Sequence, residues 1–427
     1  MQKASTIKRV QSLDVLRGIA IIGTLLTNIW SFSQNSWGTD DPFNPWPGLF
    51  KEGWQLEIAD AAGMISNGKF LALLSILFGV GMAIQFESAM RHGRRWPWRY
   101  EWRSLLLLAD GFVHFALVVD FDILMGYALV AMVVAPLLFL RTRWLVLAAV
   151  LIGALHLFLQ YFQARAYLSD SQLSRASAPA REAVPADEAA WTVPTTYSGE
   201  VAERLNNFWN LRYEVFQVAP PLSAFLFITG VLLWRAGLFK ADERAGRIAT
   251  WLAVGGLGVG VPLTLWTSID VPGAEVVGSL SRYVIAPVVA FGYLGLTLIL
   301  LRRGGGQGFL TRQLGAVGRT ALSCYMLQNI IAMVAFNAWG LRLGPLDSVG
   351  TILAWAVISG ILMLAASLWL RRFTQGPFEL VWRAAVQAPF RRRDRERAAE
   401  AAARQEHKNE PEPEQRHHNN NAPTGAP

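Results

Sequence analysis

Apolar positions in this chain fall in long unbroken blocks, not in the alternation of half-buried strands or the single stripe of surface helices. Blocks of roughly 17 to 25 apolar residues can cross a hydrocarbon layer about 30 Å thick as helices. About ten occur, near Leu13 to Trp30, Phe70 to Phe86, Ser104 to Val119, Ile123 to Leu140, Trp144 to Tyr161, Pro220 to Trp234, Ile248 to Trp266, Tyr283 to Leu301, Ala316 to Phe336 and Thr351 to Leu370. The pattern predicts an all-α, polytopic membrane helix bundle. The first block follows Lys3, Lys8 and Arg9 as a signal peptide would, but Ile29-Trp30-Ser31-Phe32-Ser33 is too bulky for a cleavage site, so a retained helix is expected.

The connections sort by charge. Lys and Arg concentrate at the N-terminus, in 91–103, 141–143, 235–247 and 302–319, and in the tail from Arg371. The alternate connections, 31–57, 120–122, 268–282 and 340–349, are acidic or neutral. Basic loops stay cytoplasmic, which places both termini there in a multi-pass protein of the cell inner membrane. The longest connection, 163–218, then faces outward. Its middle, SRASAPAREAVPADEAAWTVPTT, reads as a mobile excursion, and its end, ERLNNFWNLRYEVF, as an amphipathic helix at the interface. Gly53 to Ser66 reads likewise, before a break at Asn67-Gly68. The expected division is a transmembrane domain over 1–390 and a charged, largely disordered cytoplasmic tail over 391–427.

Composition narrows the function classes. With 53% hydrophobic and 16% charged residues, the net charge of +8 reflects topology and contact with anionic membrane lipids. No basic face stands apart from the loops, so no nucleic acid is expected as a partner. The lone Cys324 excludes a disulfide within one chain. No metal-ligand spacing and no strand-borne nucleotide signature occurs. GLGVG at 256–260 lies inside an apolar block, as do Gly79 and Gly81, and both read as helix packing.

Chemistry is readable where polar groups interrupt the apolar blocks, because an ionisable side chain there costs about 2.5 to 3.5 kcal/mol and needs a partner or a wet cavity. Asp14, Arg17, Thr24 and Asn28 share one face of the first block. Asp14 and Arg17 can pair at i,i+3, and Arg17 can hold a phosphate-bearing donor. Asp110 and His114, at i,i+4, project together, and Asp122 follows eight residues later near the turn. An imidazole fixed by a carboxylate and shielded from bulk water is an efficient general base. Lys69, at the break into the second block, suits a developing oxyanion or an acidic group, or snorkels to headgroups. Tyr325, Gln328 and Asn329 supply neutral hydrogen-bonding groups in the ninth block, with Ser323 on the same stretch. His156, alone among apolar residues, reads as structural.

The segments QSLDVLRGIAIIGTLLTNI, NGKFLALLSILFGVG, RSLLLLADGFVH with DILMGYALV, VGRTALSCYMLQNII and GPFELVWR, in this order, resemble the successive signatures of the YeiB-like bacterial membrane proteins from about Gln11 to Arg383. Phe121 stands where that family usually has Gly, and Asp110 where a small or apolar residue is expected. The opening LDVLRG pattern is similar to that of heparan-alpha-glucosaminide N-acetyltransferases and other transmembrane acyltransferases. That resemblance implies transfer of an acyl group from a cytoplasmic acyl-CoA, acetyl-CoA being the expected donor, to a hydroxyl or amine of an envelope glycan or lipid. On this reading His114, Asp110 and Asp122 are catalytic. Asp14, Arg17, Asn28, Lys69, Tyr325, Gln328 and Asn329 bind substrate, and no bound cofactor or metal is needed. The rival is a proton-coupled transporter or permease for a small solute or lipid, using the same charges as a relay. The sequence leaves a homo-oligomer open.

Overall fold

A computed structural model of the chain describes residues 2–33, 53–177, 196–267, 280–304 and 308–390; side chains are described for all of these except 2–10, 167–177, 214 and 217. The middle of the long connection and the charged tail, expected to be mobile and disordered, lie outside the described residues. The chain divides into two compact units, Met1–Val381 and Trp382–Pro427. The bundle is the first. Of the second, the described part is the end of one helix and a 3-10 turn at Ala388–Phe390.

All regular structure among the described residues is helical, as the block pattern predicts. The helices are α1 (Gln2–Ser33), α2 (Gly53–Ser66), α3 (Lys69–Arg91), α4 (Trp98–Leu117), α5 (Leu124–Leu137), α6 (Thr142–Ser177), α7 (Tyr197–Asn206) and α8 (Phe208–Tyr213). They continue with α9 (Ala219–Ala236), α10 (Glu243–Trp266), α11 (Ala286–Arg303), α12 (Phe309–Arg319), α13 (Ala321–Phe336), α14 (Ser348–Trp369) and α15 (Pro377–Gln387). Two π-helical turns, Glu214–Val218 and Ser281–Ile285, lead into α9 and α11. Among the described residues, seven stretches are long and apolar enough to cross a membrane: Gln11–Ser33, Gly53–Arg91, Thr142–Ala166, Ala219–Ala236, Glu243–Trp266, Ser281–Arg303 and Ser348–Trp369. The chain is a multi-pass membrane protein.

The three remaining expected spans have reasons for falling short. The helices α5 and α13 are apolar but brief. In α4, Arg99, Glu101, Arg103 and Asp110 interrupt the apolar run, and its buried face carries Tyr100, Ser104, Gly111 and His114. The ninth expected block, Ala316 to Phe336, is divided at Thr320, which separates amphipathic α12 from α13. The break serves a cap. The first turn of α13 has no side-chain cap of its own, and Glu379 at the start of α15 supplies one. Leu322 and Ser323 donate their N–H groups to Glu379 Oε1 at 2.7 and 3.2 Å, the Ser323 hydroxyl donates to Oε2, and the Phe378 N–H donates to Ser323 Oγ at 3.1 Å. A Cβ on Gly376 would lie 2.1 Å from that carboxylate, which explains the glycine in GPFE.

Lipid tails are as apolar as the side chains, so helices associate here by close packing and polar contacts, and small residues mark the crossings. A Cβ on Gly18 would lie 2.0 Å from the Leu314 carbonyl oxygen, and one on Gly318 would lie 1.7 Å from that of Asp14, so α1 and α12 meet backbone to backbone. The same reciprocity joins α3 to α9 through Gly79 and Gly230. In GLGVG, Gly256 and Gly260 lie against α11, while Gly258 has open space where a Cβ would stand. Thermal melting in detergent should therefore separate two neighbouring substitutions. Gly256→Val is expected to cost about 1 to 3 kcal/mol by overpacking, and Gly258→Val close to nothing.

Candidate functional site

The helix α4 ends with two N–H groups converging on one carbonyl oxygen: Val118 and Val119 both donate to His114 O, at 2.8 and 3.1 Å. The chain then reverses within a few residues and re-enters as α5. Gly111 permits this, since a Cβ there would stand 2.7 Å from the Met125 nitrogen. The reversal carries Asp122 back to the imidazole. His114 Nδ1 lies 2.8 Å from Asp122 Oδ1, with His114 2% and Asp122 0% exposed. The orienting carboxylate is thus Asp122. Asp110, half-buried one turn before His114, is within electrostatic reach of the pair but makes no hydrogen bond to the ring, and its buried Oδ2 has no partner.

Both carboxylate oxygens of Asp122 are engaged. Its Oδ2 accepts the Leu124 N–H at 2.8 Å, capping α5, and its Oδ1 also accepts the Tyr325 hydroxyl at 3.2 Å. The Asp122 carbonyl accepts from Arg212 at 2.5 Å, and that guanidinium stacks on the Phe115 ring, 4.5 Å from its centroid. On the far side of the imidazole, Asn329 Nδ2 stands 3.3 Å from His114 Nε2. With Nδ1–H donating to the carboxylate and Asn329 Nδ2 donating to Nε2, the Nε2 lone pair is the ring's basic site. Asn329 Oδ1 and both polar atoms of Gln328, one turn beyond Tyr325 on α13, are buried without partners.

Arg204 and Arg212 were legible in sequence only as members of an interfacial helix. In the structure, Trp209 and Tyr213 do face outward, but Glu200, Arg204 and Arg212 turn inward and are buried. Arg204 pairs with Glu200 at 3.1 Å and donates to the Ala116 carbonyl at 3.4 Å. Asn337 donates to Glu200 at 2.7 Å, and the Tyr197 hydroxyl to the Leu117 carbonyl at 2.9 Å. Burial pushes the Glu200 carboxyl above its usual range despite these donors, and depresses Arg204 despite Asp120 and Glu200. The segment is a latch that fastens the end of α4 and the turn bearing Asp122.

The other sequence-predicted groups lie apart from the pair. Asp14 and Arg17 bond at 3.6 Å on α1, and Arg103 and Arg319 act on them electrostatically. Gln85 accepts from Arg103 at 3.2 Å. These groups gather at the end of the bundle where α1 enters, here the near end. Asn28 on α1 and Lys69 at the start of α3 make no hydrogen bond with the pair; the Lys69 ammonium donates to the Asn67 carbonyl at 3.4 Å. His156 Nε2 donates to the Tyr283 carbonyl at 2.9 Å and so secures the π-turn before α11, a structural part. Among the described residues, no group of three or more His, Cys, Asp and Glu could hold a metal ion.

The class defined here is a multi-pass helical membrane protein with a buried His–Asp pair at a helix reversal and a cationic cluster at the near end. Residues 233–389 match the family described as "Protein of unknown function (DUF418)". The chain is similar to "Uncharacterized protein YxaH" of Bacillus subtilis (strain 168), 28% identical over 405 residues covering 90% of this chain and 96% of the relative. It is likewise 28% identical to "Uncharacterized protein YeiB" of Escherichia coli (strain K12) over 400 residues, 88% and 96% of the two chains. The YeiB-like resemblance is thereby shown, over nearly the whole chain.

Breaking the pair while keeping its shape isolates its energetic role. Asp122→Asn removes the charge that the ring, Tyr325 and Leu124 all address, and is expected to lower unfolding free energy by about 1 to 3 kcal/mol. Tyr325→Phe, which removes one donor, should cost about 1 kcal/mol. Denaturation of both variants in detergent measures the two steps.

Proposed function

We propose that the protein is an acyltransferase of the cell inner membrane, with both termini in the cytoplasm. It takes an acyl group from cytoplasmic acyl-CoA, acetyl-CoA being the expected donor, and places it on a hydroxyl or amine of an envelope glycan or lipid. The observation that carries this reading is the imidazole held at Nδ1 by Asp122, with its Nε2 facing Asn329 of α13, whose Oδ1 is buried without a partner. In the reaction, Nε2 takes the proton from the acceptor as its oxygen or nitrogen attacks the thioester carbonyl. The new acyl bond forms, the carbon–sulfur bond breaks, and the imidazolium returns the proton to the departing thiolate. Asp122 stabilises the transient imidazolium. Gln328 and Asn329 of α13 would receive the developing oxyanion, with Asn28 and Lys69 reserved for the acceptor side. Arg17, with Arg103 and Arg319, would hold the donor's phosphates at the near end.

The ring's enclosure favours a second reading. His114 is 2% exposed, so a reactant reaches Nε2 only if the contact between α4 and α13 opens. A proton relay in a solute or lipid transporter needs less room. The two readings part on one assay. Purified protein given acetyl-CoA and envelope extract should release thiol and label the acceptor, with His114→Gln at least about a hundredfold slower and Arg17→Ala binding acetyl-CoA about tenfold more weakly. Proton-driven uptake into proteoliposomes with no thiol release would reject the transferase.

A further inference from the structure

At the opposite, far end of the bundle, the break at Asn67-Gly68 starts α3 in an unusual way. Gly68 has φ +73°, a Cβ there would stand 2.7 Å from the Arg282 carbonyl oxygen, and no side chain caps the helix. Its first-turn N–H groups, carrying the positive end of the helix dipole, face whatever lies above them. The Lys69 side chain folds back over this end, since its ammonium reaches the Asn67 carbonyl at 3.4 Å. It is 1% exposed and, among the described residues, has no carboxylate within salt-bridge distance. A buried ammonium over an uncapped helix start is an unbalanced concentration of positive charge, in surroundings where each charge needs a counter-ion.

Directly beside this end opens a crevice between α3, α5, α9 and the π-turn that precedes α11. Gly68 and Arg282 lie among its lining residues; Leu71, Ala72, Ile123 and Leu226 form apolar wall, and none of the lining residues is acidic. The hydroxyls of Ser75 and Tyr127 in its wall bond each other and the Leu71 carbonyl, so they ask nothing of an occupant. Arg282 stacks over Tyr283 at 5.7 Å. A hydrocarbon tail suits the crevice, and an anion suits the charge.

We infer that this end of α3 and the adjoining crevice form a binding site for an anionic glycerophospholipid, its phosphate addressed by Lys69 and the α3 N-terminus and one acyl chain lying against Leu71, Ile123 and Leu226. Lys69 is shared with the acceptor side of the proposed transferase, but lipid retention is read without a thioester, so the two readings fail separately. Native mass spectrometry of the full-length protein, equilibrated with phosphatidylglycerol or phosphatidylcholine of matched chains, tests it. Wild type should retain the anionic lipid about fivefold over the zwitterionic one. Lys69→Met should abolish that preference, and Leu222→Trp, which fills the crevice, should reduce retention of both. Equal retention of the two lipids by wild type, a preference that survives Lys69→Met, or unchanged retention by Leu222→Trp overturns the assignment. So does inorganic phosphate raising the melting temperature as far as phosphatidylglycerol does, which would make the site one for a free anion. A protein inert towards thioesters that shows the lipid preference loses the transferase reading and keeps this one.

Discussion

The hydrogen bond between His114 and Asp122 is the constraint around which the rest is arranged. A carboxylate with no exposure inside a bundle costs several kcal/mol unless its lone pairs are all addressed, and removing one partner leaves that cost uncovered. The structure addresses both carboxylate oxygens with a ring nitrogen, a phenol and a backbone N–H, and fixes the same residue's carbonyl with a guanidinium. These partners come from α4, α13, the start of α5 and α8. The pair is thus a junction of four elements, and its geometry holds only while all four keep register.

Register is kept by parts remote from the junction. Glu379 fixes where α13 begins, and therefore where Tyr325, Gln328 and Asn329 point. The ion pair of Arg204 with Glu200, fastened by Asn337, binds the latch to both α4 and the end of α13. Backbone contact at Gly18 and Gly318 sets α1 against α12 and so positions the near-end cluster. Close packing of this kind tolerates little displacement, which makes the polar network rigid where it is buried.

Much of this was legible along the chain, and the limits have physical causes. Apolar block length gave the helices because a bilayer imposes one length on all of them. It failed at Thr320, where an amphipathic helix and an apolar one follow without a gap in hydropathy. Helical projection put Asp110 and His114 together, but which carboxylate bonds the ring depends on the turn at 118–123, and a turn in the chain direction has no periodicity to read. Glu200, Arg204 and Arg212 look like surface residues in sequence, because their burial arises only from packing against the reversal between α4 and α5. The tie between Ser323 and Glu379 joins segments more than fifty residues apart, and neither end signals the other. Its one trace was the glycine of GPFE.

The proton on the His114 ring tests the account most directly. With 6 histidines in the chain, nitrogen-15 spectra of histidine-labelled protein can be assigned by loss of a signal in His114→Gln. At pH 7 the His114 signals should be those of a neutral ring protonated at Nδ1 and bare at Nε2. A ring protonated at Nε2 with Nδ1 bare would contradict the account, because Asp122 would then face a lone pair and the base would have no free site.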